Sequence, residues 1–381
     1  MQLQFNDCIV PIANGNVRRA GTRGGRAEDA RIVATTAAIV QSRPHRRCIT
    51  DKIAAKVARP CRRAPIVEPI EVDASLEPRL EFVTCASPAG LHRMAYWEWG
   101  DPANDRVLLC VHGLTRSGRD FDALARRLAG TYRVVCPDVA GRGRSDWLVN
   151  PAFYTVPQYV SDMVTLIARL RPASLSWVGT SMGGLIGMAL SGAAAFAKAM
   201  LAMRPHAGML PPEQGLRLEK LVLNDVGPRL ENGALSRIGQ YVGAPGEFAT
   251  FEEAVATMRA NSETFGPHTD AQWAELAKYL YPQQGDKWVK HYDLAIAQAL
   301  AAQTPEELAA GEQILWRSYD ALDCPILIVR GELSDLLTRA TVEEMRQRNP
   351  RAQALEVPGV GHAPTLISDD QVNPVANFLL S

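Results

Sequence analysis

The chain has 381 residues, 47% hydrophobic and 22% charged, enough apolar material for two or three domain-sized units with a buried core. The 41 Lys+Arg balance 41 Asp+Glu, so no overall positive field exists to draw nucleic acid or an anionic membrane surface. The 7 cysteines are scattered without a Cys-x-x-Cys pair, which argues against a disulfide scaffold or a structural zinc site and for a reducing, cytoplasmic compartment.

The charge is unevenly spread. Residues 1–66 carry 13 Lys+Arg against 4 Asp+Glu, net +9, and the remainder is therefore net −9. The segment 1–75 shows no sustained apolar periodicity and lacks the basic, apolar and small-residue layout of a secretory signal. An Arg-rich, acid-poor composition also suits an organelle transit peptide; the reading adopted is a disordered arm, or sequence outside the working protein.

From about residue 78 the pattern changes. Glu81–Cys85 and Leu91–Trp99 alternate about Ser87-Pro88-Ala89-Gly90 and predict a hairpin. Short, nearly continuous apolar runs follow at Val107–Val111, Tyr132–Cys136, Leu175–Val178, Leu218–Leu223, Ile326–Val329 and Ala354–Val357. Such runs fit strands buried on both faces of a parallel sheet. Helical spacing lies between them at Asp120–Leu128, Val156–Leu170, Met182–Ala202, Thr341–Arg348 and Gln371–Leu380. This alternation predicts an α/β, doubly wound, mostly parallel sheet. Leu185–Met203 approaches the length of a membrane span, but Lys198 interrupts it and it follows a motif that demands a buried helix.

Between 229 and 318 the alternation stops. Helical patterns cover Phe251–Ala260, Ala271–Leu280 with Thr269 or Asp270 as N-cap, Trp288–Ala302 and Glu306–Trp316. A helical insertion in a sheet that resumes at 319 reads as a cap over the strands' carboxyl ends, giving core segments 76–228 and 319–381. The alternative is an independent helical domain. The cap aromatics Phe265, Trp273, Tyr279, Tyr281, Trp288, Tyr292 and Trp316 are spaced for helix packing, with one or two free to face a pocket.

The chemistry-bearing motif is Gly179-Thr180-Ser181-Met182-Gly183, a G-x-S-x-G pentapeptide between a strand and an apolar helix. Its sharp turn holds the serine proud of the sheet. A serine nucleophile needs a base, and the base an orienting carboxylate. His362 follows the last strand, as the chain order Ser, Asp, His requires. Asp335, after Ile326–Val329, is the favoured acid; Asp225, after the preceding strand, competes with it, and Glu332 is a third candidate. Asp335 as a mere helix cap is disfavoured because Thr338 and Thr341, the latter with Glu344, are better placed for capping. Developing oxyanion charge needs two fixed donors, assigned to the backbone N–H groups of Leu114 and Met182. His112, beside a glycine at a strand end, reads as a structural imidazole. No metal or cofactor is implied.

The ordered set HGLTRSG at 112–118, PDVAGRGRSDW at 137–147, GTSMGG at 179–184, LNDVGP at 223–228, RGELSDLL at 330–337 and GVGHAP at 359–364 resembles the α/β-hydrolase superfamily, especially members with a helical cap. The resemblance covers roughly 78–228 and 319–381. It implies an α/β-hydrolase fold with Ser181 as nucleophile, Asp335 as acid, His362 as base, and Leu114 with Met182 as the oxyanion hole. Serine rather than aspartate at the elbow sets aside epoxide hydrolase and haloalkane dehalogenase activity, and Ser191 to Pro212 looks longer than usual. The expected activity is hydrolysis of a small apolar or aromatic carboxylic ester through an acyl-enzyme, with a small molecule as the only partner. Carbon–carbon hydrolysis of ring-cleavage products by the same triad, and noncatalytic ligand reception, are the alternatives.

Overall fold

A computed structural model describes residues 77–202 and 216–381. The Arg-rich arm and most of the long stretch before LNDVGP lie outside the described residues.

The hairpin is formed by β1 (Arg79–Ser87) and β2 (Gly90–Trp99), closed where Ser87 pairs with Gly90. Then come β3 (Arg106–Val111), β4 (Arg133–Pro137), β5 (Ser174–Thr180) and β6 (Leu221–Asn224). The sheet is completed late in the chain by β10 (Ile326–Gly331) and β11 (Ala352–Val357). Its order is β1-β2-β4-β3-β5-β6-β10-β11, antiparallel at the hairpin and at β2–β4 and parallel from β4 onward. The chain runs outward from β3 to β4, then returns to place β5 on the other side of β3. That reversal opens a crevice above the carboxyl ends of β3 and β5, where folds of this kind bind ligands.

The continuous apolar runs are explained by two cores. Val107, Leu109 and Val111 of β3 join one cluster, with residues of α2 (Val156–Leu170) and α3 (Met182–Ala202). Leu108 and Cys110 join the other, with residues of α1 (Asp122–Leu128) and α10 (Asp369–Leu380). Alternate residues of one strand thus face opposite helical layers, so a two-residue period in burial disappears from the sequence. α9 (Arg339–Arg348) packs beside β11, and its N-cap is Thr338, whose hydroxyl accepts the Thr341 N–H. The Thr341–Glu344 box expected from the sequence is not the cap, because Thr341 lies inside the helix.

Between β6 and β10 the chain forms α4 (Asn232–Val242), α5 (Phe251–Asn261), α6 (Asp270–Lys278), α7 (Ile296–Ala301) and α8 (Pro305–Asp320). Thr269 with Gln272 and Thr304 with Glu307 make reciprocal capping boxes that start α6 and α8. One expectation is corrected here. Trp288–Ala302 is not a single helix: β7 (Glu247–Phe248), β8 (Gln283–Gln284) and β9 (Lys287–Val289) form a small antiparallel sheet in the order β7-β9-β8. Trp288 pairs with Phe248 there, and Gly285, at φ +64°, turns the β8–β9 hairpin. Most of the segment's aromatic residues are packing groups, with Trp273 and Tyr281 in a cluster with Ala254, Met258 and Leu276, and Tyr292 and Trp316 in the larger core. No helix among the described residues is long and apolar enough to cross a membrane.

Close packing at the start of α3 gives a stability test. A Cβ on Gly183 would fall 1.9 Å from the Val111 carbonyl oxygen, whereas one on Gly311 of α8 would meet nothing within 4 Å. Gly183→Ala should lose about 1–3 kcal/mol or more by urea unfolding. Gly311→Ala should be neutral or up to about 1 kcal/mol stabilising.

Candidate active site

β5 ends at Thr180, and the next residue, Ser181, sits in the left-handed region at φ 51° before α3 begins at Met182. A β-carbon is poorly accommodated in that conformation, so it persists only where its surroundings hold it. Here the hold is a backbone bond from Ser181 N–H to the Asn224 carbonyl at 2.9 Å, across the β5–β6 pair. Gly179 and Gly183 let the turn close, since a Cβ at either would overlap backbone atoms at 2.4 Å or less. The first N–H groups of α3 have no acceptor within the helix and carry the positive end of its dipole to Ser181.

His362 follows β11, and its Nε2 lies 2.9 Å from Ser181 Oγ. Its Nδ1 lies 2.8 Å from Asp225 Oδ2. The structure therefore corrects the expected acid: Asp225, the second candidate, stands against the imidazole, and Asp335 does not. Asp225 follows β6, the strand paired directly with β5, and is fully buried. Its Oδ1 accepts the Gly331 N–H at 2.8 Å and its Oδ2 the Ser334 hydroxyl at 2.7 Å. Like Ser181 it has a left-handed backbone, at φ 56°. Asp335 instead turns outward, 45% exposed, in a bidentate pair with Arg237 of α4 at 2.9 Å. The RGELSDLL loop thus supplies Ser334 as a support for the acid rather than the acid itself. Glu332 is engaged by the Gly359 N–H.

The loop after β3 passes beside the serine: a Cβ on Gly113 would lie 3.6 Å from Ser181 Cβ. Three successive carbonyls of this loop, those of Gly113, Leu114 and Thr115, are held. Val139 N–H donates to His112 Nε2 at 2.9 Å, which leaves the His112 proton on Nδ1, where it donates to the Gly113 oxygen at 2.7 Å. Because the peptide is planar and trans, fixing that oxygen turns the Leu114 N–H the opposite way. The Leu114 oxygen accepts from Arg142 Nε at 2.9 Å, and the Thr115 oxygen from His291 Nε2 at 3.0 Å. Burial, with the charges of Arg142 and Arg116, drives the His112 imidazole well below its usual range. His112 is thus the structural imidazole that the sequence suggested. Arg142, fully buried, also reaches the Ala140 carbonyl and Tyr159 hydroxyl, so the glycine-rich turn after β4 braces this loop.

Three contributors escaped the sequence reading. Ser334 carried no motif of its own. Thr264, before α6, donates its hydroxyl to the His362 carbonyl at 2.9 Å, and its backbone carbonyl accepts the Gly361 N–H at 2.6 Å. His291 lies in a stretch read as helix. Elsewhere, Cys85, His92 and Asp162 offer metal-ligand atoms within 4.8 Å of one another. Their bonds are internal: His92 Nε2 meets Asp162 Oδ2 at 3.0 Å, Gln158 meets Oδ1 at 2.8 Å, and burial pushes the Cys85 thiol up to about 12. The cluster pins the β1–β2 hairpin to α2.

Residues 108–375 match the model of the alpha/beta hydrolase family. The chain is a member of that family. It is 55% identical over 308 residues to a 3-hydroxybutyrate-oligomer hydrolase of Cupriavidus necator, covering 80% of this chain and 98% of that protein. A pimeloyl-[acyl-carrier protein] methyl ester esterase of Xanthomonas campestris is 27% identical over 270 residues, 70% of this chain and 91% of that one. Among solved structures, an alpha/beta hydrolase from Novosphingobium aromaticivorans superposes with a TM-score of 0.65 at 33% identity, covering 80% and 98% of the two chains. The protein is a hydrolase of ester bonds, as the sequence led us to expect.

Acid stability follows from the buried imidazoles of this hydrolase. Burial, with the nearby Arg116 and Arg142 charges, pushes His291 down to about 3 from 6.5. Between those values the unfolded chain takes up a proton that the native state refuses. Stability should therefore fall by about 1.4 kcal/mol per unit as pH drops through that window. In urea unfolding at pH 6.5 and pH 5, His291→Gln should lose about 2 kcal/mol less than the unaltered protein.

Proposed function

We propose that this hydrolase cleaves short 3-hydroxybutyrate oligomers through an acyl-enzyme on Ser181. The observation that carries the mechanism is the unbroken line from Ser181 Oγ through both nitrogens of His362 to Asp225, at 2.9 and 2.8 Å. The substrate class is supported by the 55% identity to the C. necator oligomer hydrolase over nearly its whole length.

His362 Nε2 takes the Ser181 proton as Oγ attacks the ester carbonyl, then gives it to the alkoxide oxygen of the next unit as the C–O bond breaks, so that unit leaves with a free hydroxyl. Asp225 holds the imidazole by Nδ1 and offsets the charge it acquires. The N–H groups of Leu114 and Met182 receive the developing oxyanion, one at the loop after β3 and one at the start of α3. Water then repeats the sequence on the acyl-enzyme, releasing 3-hydroxybutyrate and restoring the serine. The helical segment 229–318 covers the crevice as a cap, held to it through Thr264 and His291. A 3-hydroxybutyryl unit is a short aliphatic acyl group, but its oligomers end in a hydroxyl and a carboxylate and are therefore more polar than the small apolar or aromatic ester expected from the sequence. The free, buried thiols of Cys85, Cys110, Cys136 and Cys324 suit a reducing compartment.

The test is release of 3-hydroxybutyrate from the dimer and trimer, followed by chromatography. Ser181→Ala should lower kcat by about 10⁶-fold. Asp225→Asn should lower it by about 10⁴-fold by disturbing the imidazole tautomer. Asp335→Asn, by contrast, should stay within threefold of the unaltered enzyme. Loss at position 335 with full activity at position 225 would reverse the assignment of the acid. Turnover of p-nitrophenyl esters with none of the oligomers would leave the triad standing and refute the substrate.

A further inference from the structure

We infer that His291, contributed by the segment between β6 and β10, is a positioning residue that sets the direction of the Leu114 N–H. The inference rests on the acyl-enzyme reading above and adds a part to it.

The ring is buried and both its nitrogens are committed. Gly143 N–H donates to Nδ1 at 2.8 Å, so the proton of the neutral ring is on Nε2, where it donates to the Thr115 carbonyl at 3.0 Å. The Thr115–Arg116 peptide fixed in this way presents the Arg116 N–H to the Gly113 oxygen at 3.2 Å. That oxygen is also the acceptor of His112 Nδ1–H. Two planar peptides in series therefore run from the His291 ring to the Gly113–Leu114 amide, and rotating the first plane rotates the second. Neighbouring residues keep the ring in place: Asp293 N–H donates to the Gly141 carbonyl at 2.9 Å, and the Asp293 carboxylate accepts the Tyr154 hydroxyl at 2.7 Å. Residues 291–293 thus stitch the loop after β3 to the turn after β4. Burial lowers the basicity of this imidazole to about 3, which keeps it neutral, with this single tautomer, at neutral pH.

Two replacements separate the ring's two bonds. Gln reaches the position of Nε2 and keeps a donor for Thr115, whereas Asn offers an acceptor near Nδ1 for Gly143 and loses the Thr115 bond. His291→Asn should lower kcat at least tenfold with KM within twofold. Its affinity for an alkylboronic acid, whose adduct on Ser181 places an oxygen where the oxyanion forms, should fall by the same factor. His291→Gln should keep a third or more of kcat. Equal loss of kcat in the two variants, a loss confined to KM, or undiminished boronic acid affinity beside a lowered kcat would overturn the inference. Imidazole ¹⁵N shifts of the unaltered protein give a reading independent of whether the variants fold. A neutral Nε2–H tautomer is expected, and an Nδ1–H tautomer would overturn the assignment. Fluorophosphonate labelling rates report the same donor without any ester. Unaltered protein that labels at Ser181 yet hydrolyses no ester would refute the proposed function while the ratio of labelling rates still decides the role of His291.

Discussion

The register of β5 against β6 is the constraint on which the site depends. Thr180 stands opposite Asn224, so the next residue of each strand, Ser181 and Asp225, emerges at the same height above the sheet. Both adopt left-handed backbone, which for residues with a β-carbon costs of order 1–3 kcal/mol each and needs support. The support is reciprocal. Ser181 N–H is held by the Asn224 carbonyl, Asn224 Nδ2 binds Thr180 Oγ1, and Asp225 N–H is held by the Val329 carbonyl of β10. A slip of one residue would turn each side chain to the other face and separate hydroxyl from carboxylate. The nucleophile and the acid are therefore properties of a strand pair before they are properties of loops.

Burial then decides what the carboxylate can do. A fully desolvated acid must have its lone pairs satisfied, or it costs several kcal/mol. Asp225 meets a backbone N–H, a hydroxyl and an imidazole, which makes it an acceptor that waits for the charge of His362. Asp335 faces solvent and already owns a guanidinium, so its charge is neutralised by a partner that never meets substrate. Two aspartates, at positions 225 and 335, compete for one role, and solvation separates them.

Much of this was legible in the sequence. The elbow announces itself because a glycine pair around a serine, between a continuous apolar run and an apolar helix, has few other uses. His362 followed from chain order, and the sheet strands from runs long enough to span two faces. The acid was not legible by the same logic, since Asp225 and Asp335 both lie just past a strand. What separates them is Arg237, supplied by a helix of the intervening segment, and Ser334, which has no signature beside its aspartate. Likewise β7, β8 and β9 are two or three residues long, too short for any period to register, so Trp288 could not be told from the start of a helix. Long-range pairing, rather than local propensity, fixed each feature that the sequence left open.

The segment between β6 and β10 is tied by hydrogen bonds to two loops beside Ser181. Thr264 holds the loop carrying His362, and His291 holds the loop carrying Leu114. Both are partly buried hydrogen bonds to the backbone of the loops that flank Ser181, so lifting the segment would have to break them. The Arg237–Asp335 pair that ties α4 to the loop after β10 is of a different kind. With side chains 35% and 45% exposed, it belongs to the class of surface ion pairs worth about 0–1 kcal/mol. Of the three ties, that one can part at least cost, and parting it leaves Asp225, His362 and Ser181 undisturbed. The same segment thus carries two kinds of contact: partly buried bonds to the loops beside Ser181, and an exposed ion pair that touches none of Ser181, His362 and Asp225.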